Sequence, residues 1–558
     1  MKAIYKIWGL LPIAIAFVMT ACSSDDNNTE KAESDQSVKI IPYMVTVNGE
    51  TSTRATVDGD LKKLYFAAGD KLYISGTNIS GVMDIQTGAG TASATFSGSL
   101  TYTGGGTPAS DLTLNATLVS AQQNDGAEVT IAANKTVTVN YGTALCADVN
   151  EAIQKYSLLT GSSTYSAKSF TLTQQTAFLN FTITLSDGTA TSTDVTATVD
   201  NVGGSARTGS ITTVTEDEKI VAKFVAPVAT QTLTNATISL NGSSPVIFVG
   251  SKALTAKVYH VKRTFHDLKK ASAVIPASGN LIVYQSDNSN TTSNSITIGA
   301  GGELTLAGVN MEGSRIVCSG AATIVIADGS TNRVVNSGDN KCGIEVGTTG
   351  TMTIKGESEG TGSLTTQGGS YAAGIGTYKN GTCGAIEIRG GNITAQGGES
   401  AAGIGTGFSD TSPSSSNFST CGNITISGGT VRATGGGYGA GIGSGRSLCN
   451  SSITISGGTV IATGGSYGAG LGGGCLFNSN TSKRVGWGDI IISGGNVTAT
   501  KGGSGSYGSG AVSAYDIGAG GIIYNSGSET STCGTVTITG GTVTATNNLV
   551  KDYPSWPN

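Results

Sequence analysis

The chain has 558 residues, of which only 12% are charged, and its formal net charge is −5. Its 84 glycines contrast with 9 prolines and 2 histidines. A chain with so few charged residues and a negative net charge offers no basic patch for binding nucleic acid. Its two histidines, His260 and His266, are too few to supply the usual histidine ligands of a metal site. We therefore expect no nucleic-acid partner, no metal and no cofactor, in a chain long enough for two or three domains.

Residues 1–21 have the anatomy of a secretory signal peptide. Lys2 and Lys6 give a positive start, residues 8–19 are mostly apolar, and Met-Thr-Ala leads to Cys22. This ending resembles the lipobox of bacterial lipoproteins, with methionine where leucine is more usual. The resemblance implies cleavage before Cys22 and lipidation of that residue; the alternative is an ordinary signal peptide followed by a chance cysteine.

Residues 22–36 are a polar, acidic linker whose composition predicts disorder. The linker's Ser-Ser-Asp-Asp-Asn-Asn segment resembles the signal that sends lipoproteins of the Bacteroidetes to the outer face of the outer membrane. The resemblance implies an outer-membrane location, with the lipid on Cys22 and the protein facing the cell exterior. A plain flexible tether is the alternative.

Residues 37–262 read as many short strands that alternate apolar and polar positions between Gly, Asn, Asp and Ser turns. This pattern predicts antiparallel β-sandwiches, which we divide into two subdomains with a boundary near residue 150. Only residues 148–159 have helical character. His260 and His266 fall at the end of this region, where we expect surface or packing roles.

Two motifs in this region resemble the start of fimbrillin-like proteins: Thr53-Arg54-Ala55, and the strand entry Phe66-Ala-Ala-Gly-Asp-Lys-Leu. The resemblance implies two transthyretin-like sandwiches and a role in surface stalks or fimbriae. It also makes Arg54 the candidate for a cleavage that releases a strand to the next subunit. The alternative is an ordinary loop arginine in a protein that does not polymerise.

Residues 266–550 carry internal repeats, followed by a C-terminal tail at 551–558. The motif Gly-x-Ile-x-Ile-x-Gly-Gly-x-Val-x-Ala-x-Gly-Gly recurs, followed by Tyr-Gly-Ala-Gly-Ile-Gly in the copy at Gly422 and by variants of it in others. The copies begin at Gly384, Gly422, Ser451, Gly488 and Gly534. Self-similarity at this period predicts a solenoid. Three short strands per repeat with glycine corners predict a three-sided, right-handed parallel β-helix with coils about 4.8 Å apart.

The segment after Gly-Ile-Gly varies most between repeats. These inserts span residues 377–382, 406–420, 444–448, 473–486 and 513–532. All of them are therefore expected to leave the β-helix at one corner. Such an edge is often the binding face of a solenoid, although a corner that merely tolerates insertion is an equal alternative.

Two columns of side chains follow from the repeat. Tyr371, Tyr438, Tyr467 and Tyr507 share one position, with Ser400 in the odd copy. If exposed, these tyrosines are candidate ligand-binding residues that stack on sugar rings; the favoured alternative is that they pack against each other at a tight corner.

Cys383, Cys421 and Cys533 share another position, with Cys449 one residue off and Trp487 interrupting the column. Neighbouring coils bring such cysteines within disulfide reach, but stacked free thiols are favoured.

Catalysis by a β-helix acting on polysaccharide requires carboxylates clustered across coils. The regular repeats offer few acids, and they are scattered: Glu387, Glu399, Asp410, Asp489, Asp516 and Glu529. We therefore expect no catalytic residues and no enzyme. Asp287, Asp328 and Asp339 in the less regular early turns keep a polysaccharide lyase as an alternative.

The motif Gly-Gly-x-Tyr-Gly-Ala-Gly-Ile-Gly resembles glycine-rich, pectate-lyase-like β-helical domains of gut bacteria that are described as carbohydrate-binding. The resemblance implies a cell-surface, lipid-anchored adhesion or glycan-binding protein, with the sandwiches as a stalk and the β-helix presented outward. Its partners would be the outer-membrane lipid and a polysaccharide or host glycan. A fimbrial accessory or tip subunit, with fimbrial subunits as partners, is the other alternative.

Overall fold

A computed structural model describes residues 38–49, 66–142, 145–187, 194–338, 340–358, 360–409, 418–446, 451–477, 485–503, 514–523 and 531–545. The expected lipidation site Cys22, the candidate cleavage site Arg54 and the candidate ligand residue Tyr507 lie outside these ranges, as do the signal peptide, the linker and the tail. The protein is all-β, with 52% strand and 2% helix. Within the described ranges, no helix combines the length and the apolar character needed to cross a membrane.

The first unit is a closed barrel of seven strands in the order β1-β4-β3-β2-β5-β8-β9. The elements of this part of the chain are β1 (Lys39–Gly49), β2 (Lys71–Gly76), β3 (Ile79–Thr87), β4 (Ser93–Tyr102), β5 (Thr113–Val119), β6 (Val129–Ile131), β7 (Val137–Val139), α1 (Val149–Tyr156), β8 (Leu159–Thr164) and β9 (Ser169–Gln174). Alternating side chains such as those of Leu72 and Ile74 point into its core. The sheet closes, where the sequence predicts a sandwich, because β1 pairs with β4 on one side and with β9 on the other.

The second unit is a sandwich of two sheets. Its strands are β10 (Thr176–Leu185), β11 (Val195–Asp200), β12 (Arg207–Ile211), β13 (Val214–Glu216), β14 (Lys219–Ala229), β15 (Thr232–Leu240), β16 (Val246–Ala253) and β17 (Val258–Asp267). One sheet runs β13-β14-β10-β17 and the other β12-β11-β15-β16. Between them, the Phe181 ring lies 4.7 Å from that of Phe224 and 5.1 Å from that of Phe248, measured between centroids.

The division between the two units falls between Gln174 and Thr176, later than the boundary near residue 150 that the sequence predicts. The reason is that β8 and β9, which follow helix α1, complete the first barrel. The helix itself packs on the second unit, where Ile153 and Tyr156 join Phe178 of β10 in one buried cluster.

Strand β17 crosses the predicted boundary at residues 262–266. It pairs in parallel with β10 of the sandwich and with Asn280–Tyr284 of the first β-helix coil. One sheet of the sandwich and one side of the β-helix therefore form a single thirteen-stranded sheet, which we call the long sheet. His266 lies in this strand and is buried, with its Nε2 2.9 Å from the Ala271 carbonyl oxygen, in the packing role expected of it.

The β-helix has three parallel sheets, as the repeat predicts. Its long-sheet strands are Asn280–Tyr284, Gly302–Leu306, Ala322–Ile326, Thr351–Gly356, Ala385–Ile388, Ile424–Ile426, Ile453–Ile455, Ile490–Ile492 and Val536–Ile538. A second sheet, the Ile-Gly sheet, has the strands Ala273–Ile275, Ile296–Ile298, Ile316–Cys318, Ile344–Glu345, Ile375–Gly376, Ile404–Gly405, Ile442–Gly443, Leu471–Gly472 and Ile517–Gly518. The third, the Val-Ala sheet, has the strands Asn310–Glu312, Thr331–Val335, Ser363–Gln367, Asn392–Gln396, Thr430–Thr434, Thr459–Thr463, Asn496–Thr500 and Thr542–Ala545.

The core of the β-helix consists of columns of like residues, because parallel pairing in register places equivalent repeat positions above one another. In the long sheet, Ile386 pairs with Ile424, and Ile453 with Ile490. All four are buried. Full burial of one such side chain contributes about 1.5–3 kcal/mol, so each added coil is stabilised mainly by its neighbours.

The Ile-Gly sheet is only two residues wide in the regular repeats, and its second residue is always glycine. A β-carbon on Gly405 would lie 1.9 Å from the carbonyl oxygen of Gly443 in the next coil, and φ at Gly405 is +131°. In the regular repeats, neighbouring coils can therefore approach this closely along the Ile-Gly sheet only with glycine at this position.

Candidate functional site

The inserts leave the β-helix at the corner between the Ile-Gly sheet and the long sheet, and we call this corner the insertion edge. Neighbouring inserts pair with each other through short parallel strands. The pairs are Thr382–Cys383 with Thr420–Cys421, Leu476–Phe477 with Ile522–Ile523, and Val485–Trp487 with Ser531–Cys533. The described parts of the inserts are thus ordered by the same register that builds the coils.

A second column of side chains runs along this edge beside the tyrosine column. Its members stand three positions after the glycine of the Ile-Gly strand: Lys379, Phe408, Arg446, Cys475 and Gly521. Four of them donate a backbone N–H to a carbonyl of the tyrosine column in the preceding coil: Phe408 to Tyr371 (3.1 Å), Arg446 to Ser400 (2.8 Å), Cys475 to Tyr438 (2.7 Å) and Gly521 to Tyr467 (2.7 Å). Because the Ile-Gly strand is so short, the two columns lie against each other.

The two columns interleave into a stack of rings and cations, which we call the ladder. Lys379 Nζ lies 5.7 Å from the Tyr371 ring centre and 5.2 Å from that of Phe408. The Arg446 guanidinium lies 5.0 Å from the Phe408 ring and 5.7 Å from the Tyr438 ring.

The stack continues beyond Arg446. The Tyr438 ring is parallel to that of Tyr467, with an interplanar angle of 10° and 5.8 Å between centroids. Cation–π contacts of this kind contribute about 0.5–2 kcal/mol each, the higher values applying where the cation is desolvated. The ring and cation contacts of the ladder therefore stabilise the packing of successive inserts against the β-helix.

Exposure differs along the ladder. Tyr467 is 6% exposed and belongs to a small buried cluster with Cys475, against which the half-buried Tyr438 packs. Tyr371 keeps 37% of its surface exposed. Of the three tyrosines that the structure describes in this column, Tyr467 is thus a packing residue, and Tyr371 presents the largest ring surface to a ligand.

The sequence reveals the tyrosine column but not the cations beside it. Lys379, Phe408 and Arg446 differ in chemical type, so no residue identity repeats at their position. The signal that could have found them is positional: each stands at a fixed distance from Ile-Gly, where the inserts begin.

The cysteine column is bridged. Cys383 and Cys421 occupy paired positions of adjacent coils, with their Cα atoms 4.5 Å apart, and form a disulfide. The preference for stacked free thiols is therefore wrong for this pair, because parallel register brings the two residues to a normal disulfide separation. Cys449 lies outside the described residues, and the side chain of Cys533 is not described.

Four further cysteines in the described ranges, Cys146, Cys318, Cys342 and Cys475, form no disulfide, and all four are buried. Burial raises the pKa of the Cys475 thiol to about 12. Because the thiolate is the nucleophilic form, the thiol beside the ladder is unreactive at neutral pH.

Three of the acids of the regular repeats that the structure describes, Glu387, Asp489 and Asp516, take part in separate structural contacts. A salt bridge to Arg389 (2.9 Å) lowers the pKa of the Glu387 carboxyl. Asp489 accepts from the Thr535 N–H (2.7 Å), and the buried Asp516 accepts from the Lys501 N–H (2.7 Å). In the parts of the chain that the structure covers, no three His, Cys, Asp or Glu side chains form a group suited to a metal ion.

Comparison with protein families matches the β-helix. Residues 386–408, 424–446, 453–475 and 490–511 fit the model of the Beta helix repeat family. The first three matches begin on a long-sheet strand and end on Phe408, Arg446 and Cys475, so the repeat unit includes the second column of the ladder.

Comparison with solved structures finds matches of low similarity, two of which cover nearly the same share of this chain. A candidate cell adhesion protein from Bacteroides ovatus is 11% identical, covering 39% of this chain and 91% of its own, with a TM-score of 0.24. The fimbrial anchor protein Mfa2 from Porphyromonas gingivalis is 9% identical, covering 40% and 90%, with a TM-score of 0.25. Similarities this low carry no functional argument. No curated protein matches the chain.

Proposed function

We propose that the protein is a cell-surface adhesion or glycan-binding protein, anchored by lipid on Cys22, that presents its β-helix outward on the barrel and sandwich. The observation that carries the proposal is the insertion edge. There the variable segments, the exposed ring of Tyr371 and two cations come together on a rigid scaffold. Recognition residues are commonly placed on loops that a rigid scaffold positions.

The chemistry of the edge suits a sugar-containing ligand. The exposed Tyr371 ring offers an apolar face together with a hydroxyl group, and Lys379 lies against it. An aromatic side chain with a polar tip is suited to a surface that is partly apolar and partly hydrated. A pyranose ring presents both kinds of surface, with C–H groups on its face and hydroxyls at its rim.

We further propose that the protein binds without catalysis. Paired carboxylates are the usual machinery of glycoside hydrolysis. Glu387 is held by Arg389, while Asp489 and Asp516 accept backbone N–H groups elsewhere in the β-helix. These separate structural contacts support a binding role over the polysaccharide-lyase alternative.

The test of ligand binding uses the chain from residue 22 onward with Cys22→Ser, which removes the lipid. A shorter fragment beginning at residue 266 would divide strand β17, which belongs to both the sandwich and the long sheet. On a glycan array we expect binding that Tyr371→Ala weakens about tenfold, a loss of 1.4 kcal/mol. Tyr371→Phe should retain most of it.

A second variant, Arg446→Ala, removes a cation from the ladder. Its matched control is Arg432→Ala, which removes an exposed cation from the Val-Ala sheet. Equal effects of the two arginine variants, or the absence of any glycan ligand, would leave protein adhesion ahead. Co-purification with a fimbrial shaft would favour the fimbrial accessory role instead.

Location is tested separately on intact cells. If the lipid on Cys22 holds the protein on the outer face of the outer membrane, external protease removes it, and Cys22→Ser releases it from the membrane fraction. Protection from protease until the cells are broken would contradict surface display while leaving ligand binding untouched.

A further inference from the structure

The first two inserts of the insertion edge are held together by hydrogen bonds and by a disulfide. The first insert is residues 377–382, and the structure describes the second at its two ends, 406–409 and 418–420. Cys383 and Cys421 directly follow the two inserts, and we call the disulfide between them the bridge. The bridge therefore joins the points at which both inserts return to the long sheet.

The first insert is a tight turn with a cation at its tip. The Gly381 N–H donates to the Tyr378 carbonyl oxygen (3.0 Å), which closes a four-residue turn. Lys379 and Asn380 are its central residues, and φ at Asn380 is +56°, a left-handed conformation that asparagine tolerates. The turn places Lys379 against the ladder, with its Nζ 5.7 Å from the Tyr371 ring centre.

The second insert holds this turn from both of its described ends. Asn380 donates its N–H to the Phe408 carbonyl oxygen (2.9 Å), and Thr420 donates its N–H to the Gly381 carbonyl oxygen (3.0 Å). The Thr420 hydroxyl also donates to that of Thr382 (3.1 Å). The position of the turn therefore depends on where the second insert begins and on where it ends.

Ser419 links the two ends of the second insert to each other and to the turn. It is fully buried, and its N–H donates to the Ser409 hydroxyl (2.9 Å). Its own hydroxyl lies 2.8 Å from the Phe408 carbonyl oxygen and 3.2 Å from that of Tyr378, so one hydrogen is shared between carbonyls of both inserts. Because Ser419 stands two residues before Cys421, the bridge and this hydroxyl act on the same short segment.

We infer that the bridge and Ser419 are positioning elements of the insertion edge, which hold the turn so that Lys379 lies against the Tyr371 ring. This inference rests on the proposed function, in which Tyr371 contacts the ligand. The Phe408 ring lies 5.6 Å from that of Tyr371, measured between centroids, so a shift of the second insert reaches Tyr371 directly. A binding surface that is already ordered loses less conformational freedom when it takes its ligand, and it binds more tightly for that reason.

Hydrogen exchange followed by mass spectrometry tests the positioning without any ligand. The unlipidated chain in its oxidised form is compared with the double variant Cys383→Ser/Cys421→Ser and with Ser419→Ala. We expect amides of the first insert to exchange at least about tenfold faster in both variants, because their partners in the second insert are released. Amides of the Val-Ala sheet should exchange as in wild type.

Reductant is the matched control for the bridge. It should give wild type the exchange pattern of the double variant and leave the double variant unchanged. Ser419→Ala keeps both cysteines, so it tests the same segment if the double variant does not fold. Unchanged exchange in the first insert after loss of the bridge overturns the inference. Equal acceleration in the Val-Ala sheet also overturns it, because the bridge would then stabilise the whole β-helix.

Affinity links this positioning to the proposed function. For a glycan that binds the oxidised wild type, we expect the double variant to bind about fivefold more weakly, at a temperature where circular dichroism shows it to be folded. Tyr371→Ala should remove most of that difference, since a double-mutant cycle reports the coupling between the bridge and the ring. An equal effect of the bridge with and without the Tyr371 ring contradicts the inference. If the oxidised wild type binds no glycan, the proposed glycan function fails, and hydrogen exchange alone decides the positioning.

Discussion

The glycine column of the Ile-Gly sheet is a tight steric constraint in the β-helix, and Gly405→Ala tests it. The new methyl group would meet the Gly443 carbonyl oxygen at 1.9 Å, and φ of +131° is unfavourable for alanine. Backbone strain of this kind costs about 1–3 kcal/mol, and overpacking in a closed core costs a further ~1–3 kcal/mol. We therefore expect a loss of about 2–6 kcal/mol in the free energy of unfolding.

The assay is guanidinium unfolding followed by circular dichroism, with Gly437→Ala as the matched control. Gly437 lies in the coil that contains Gly443, six residues before it. A β-carbon on Gly437 would approach only the Glu399 carbonyl oxygen, at an ordinary 3.6 Å. We expect the control to stay within about 0.5 kcal/mol of wild type. If Gly405→Ala unfolds at the same denaturant concentration as Gly437→Ala, the reasoning that only glycine permits this close approach is refuted.

Three further variants probe the ladder, the disulfide and the junction. Cys421→Ser, or reductant added to wild type, should lower the unfolding free energy by about 2–4 kcal/mol, with no added effect of reductant on the variant. Tyr467→Ala should cost about 3 kcal/mol through lost ring packing, most of which Tyr467→Phe should restore in the same unfolding assay. Burial raises the pKa of the Glu357 carboxyl above its usual 4.5, so wild type loses stability as pH rises through the raised pKa. Glu357→Gln should therefore be relatively more stable at pH 7 than at pH 4 in thermal unfolding; a difference that does not change with pH contradicts this.

The β-helix could be predicted from sequence because its information is local and repeated. Each Ile-x-Ile and Val-x-Ala segment shows its buried face, and parallel register repeats that face in the next coil. The ladder could not be read in the same way. The partners Lys379 and Arg446 reach the tyrosine column through contacts between coils, and only the backbone path of the inserts reveals these contacts.

The cysteine pair shows a related limit. The repeat places Cys383 and Cys421 in one column within disulfide reach, but a repeat pattern does not show whether two neighbouring thiols are oxidised, and the sequence-based preference is for free thiols. The first unit differs for another reason. Its closure into a barrel depends on a parallel pairing between β1 and β9, and a pairing so distant in sequence leaves no local periodic signal.

The continuous long sheet gives a physical reason for one irregularity of the early coils. Outward positions of a β-helix strand are normally polar, as at Thr425 and Thr454, yet Ile282 and Tyr284 in the first coil are buried. They belong to the apolar cluster that fills the sandwich, so the sandwich covers the outward face of the first coil. Strand β17 pairs with the edge of that coil, where no preceding coil exists. Solenoids need such a covering at their ends. The sandwich and the β-helix therefore belong to one folding unit. The long sheet and the shared apolar cluster set the orientation of the insertion edge relative to the sandwich.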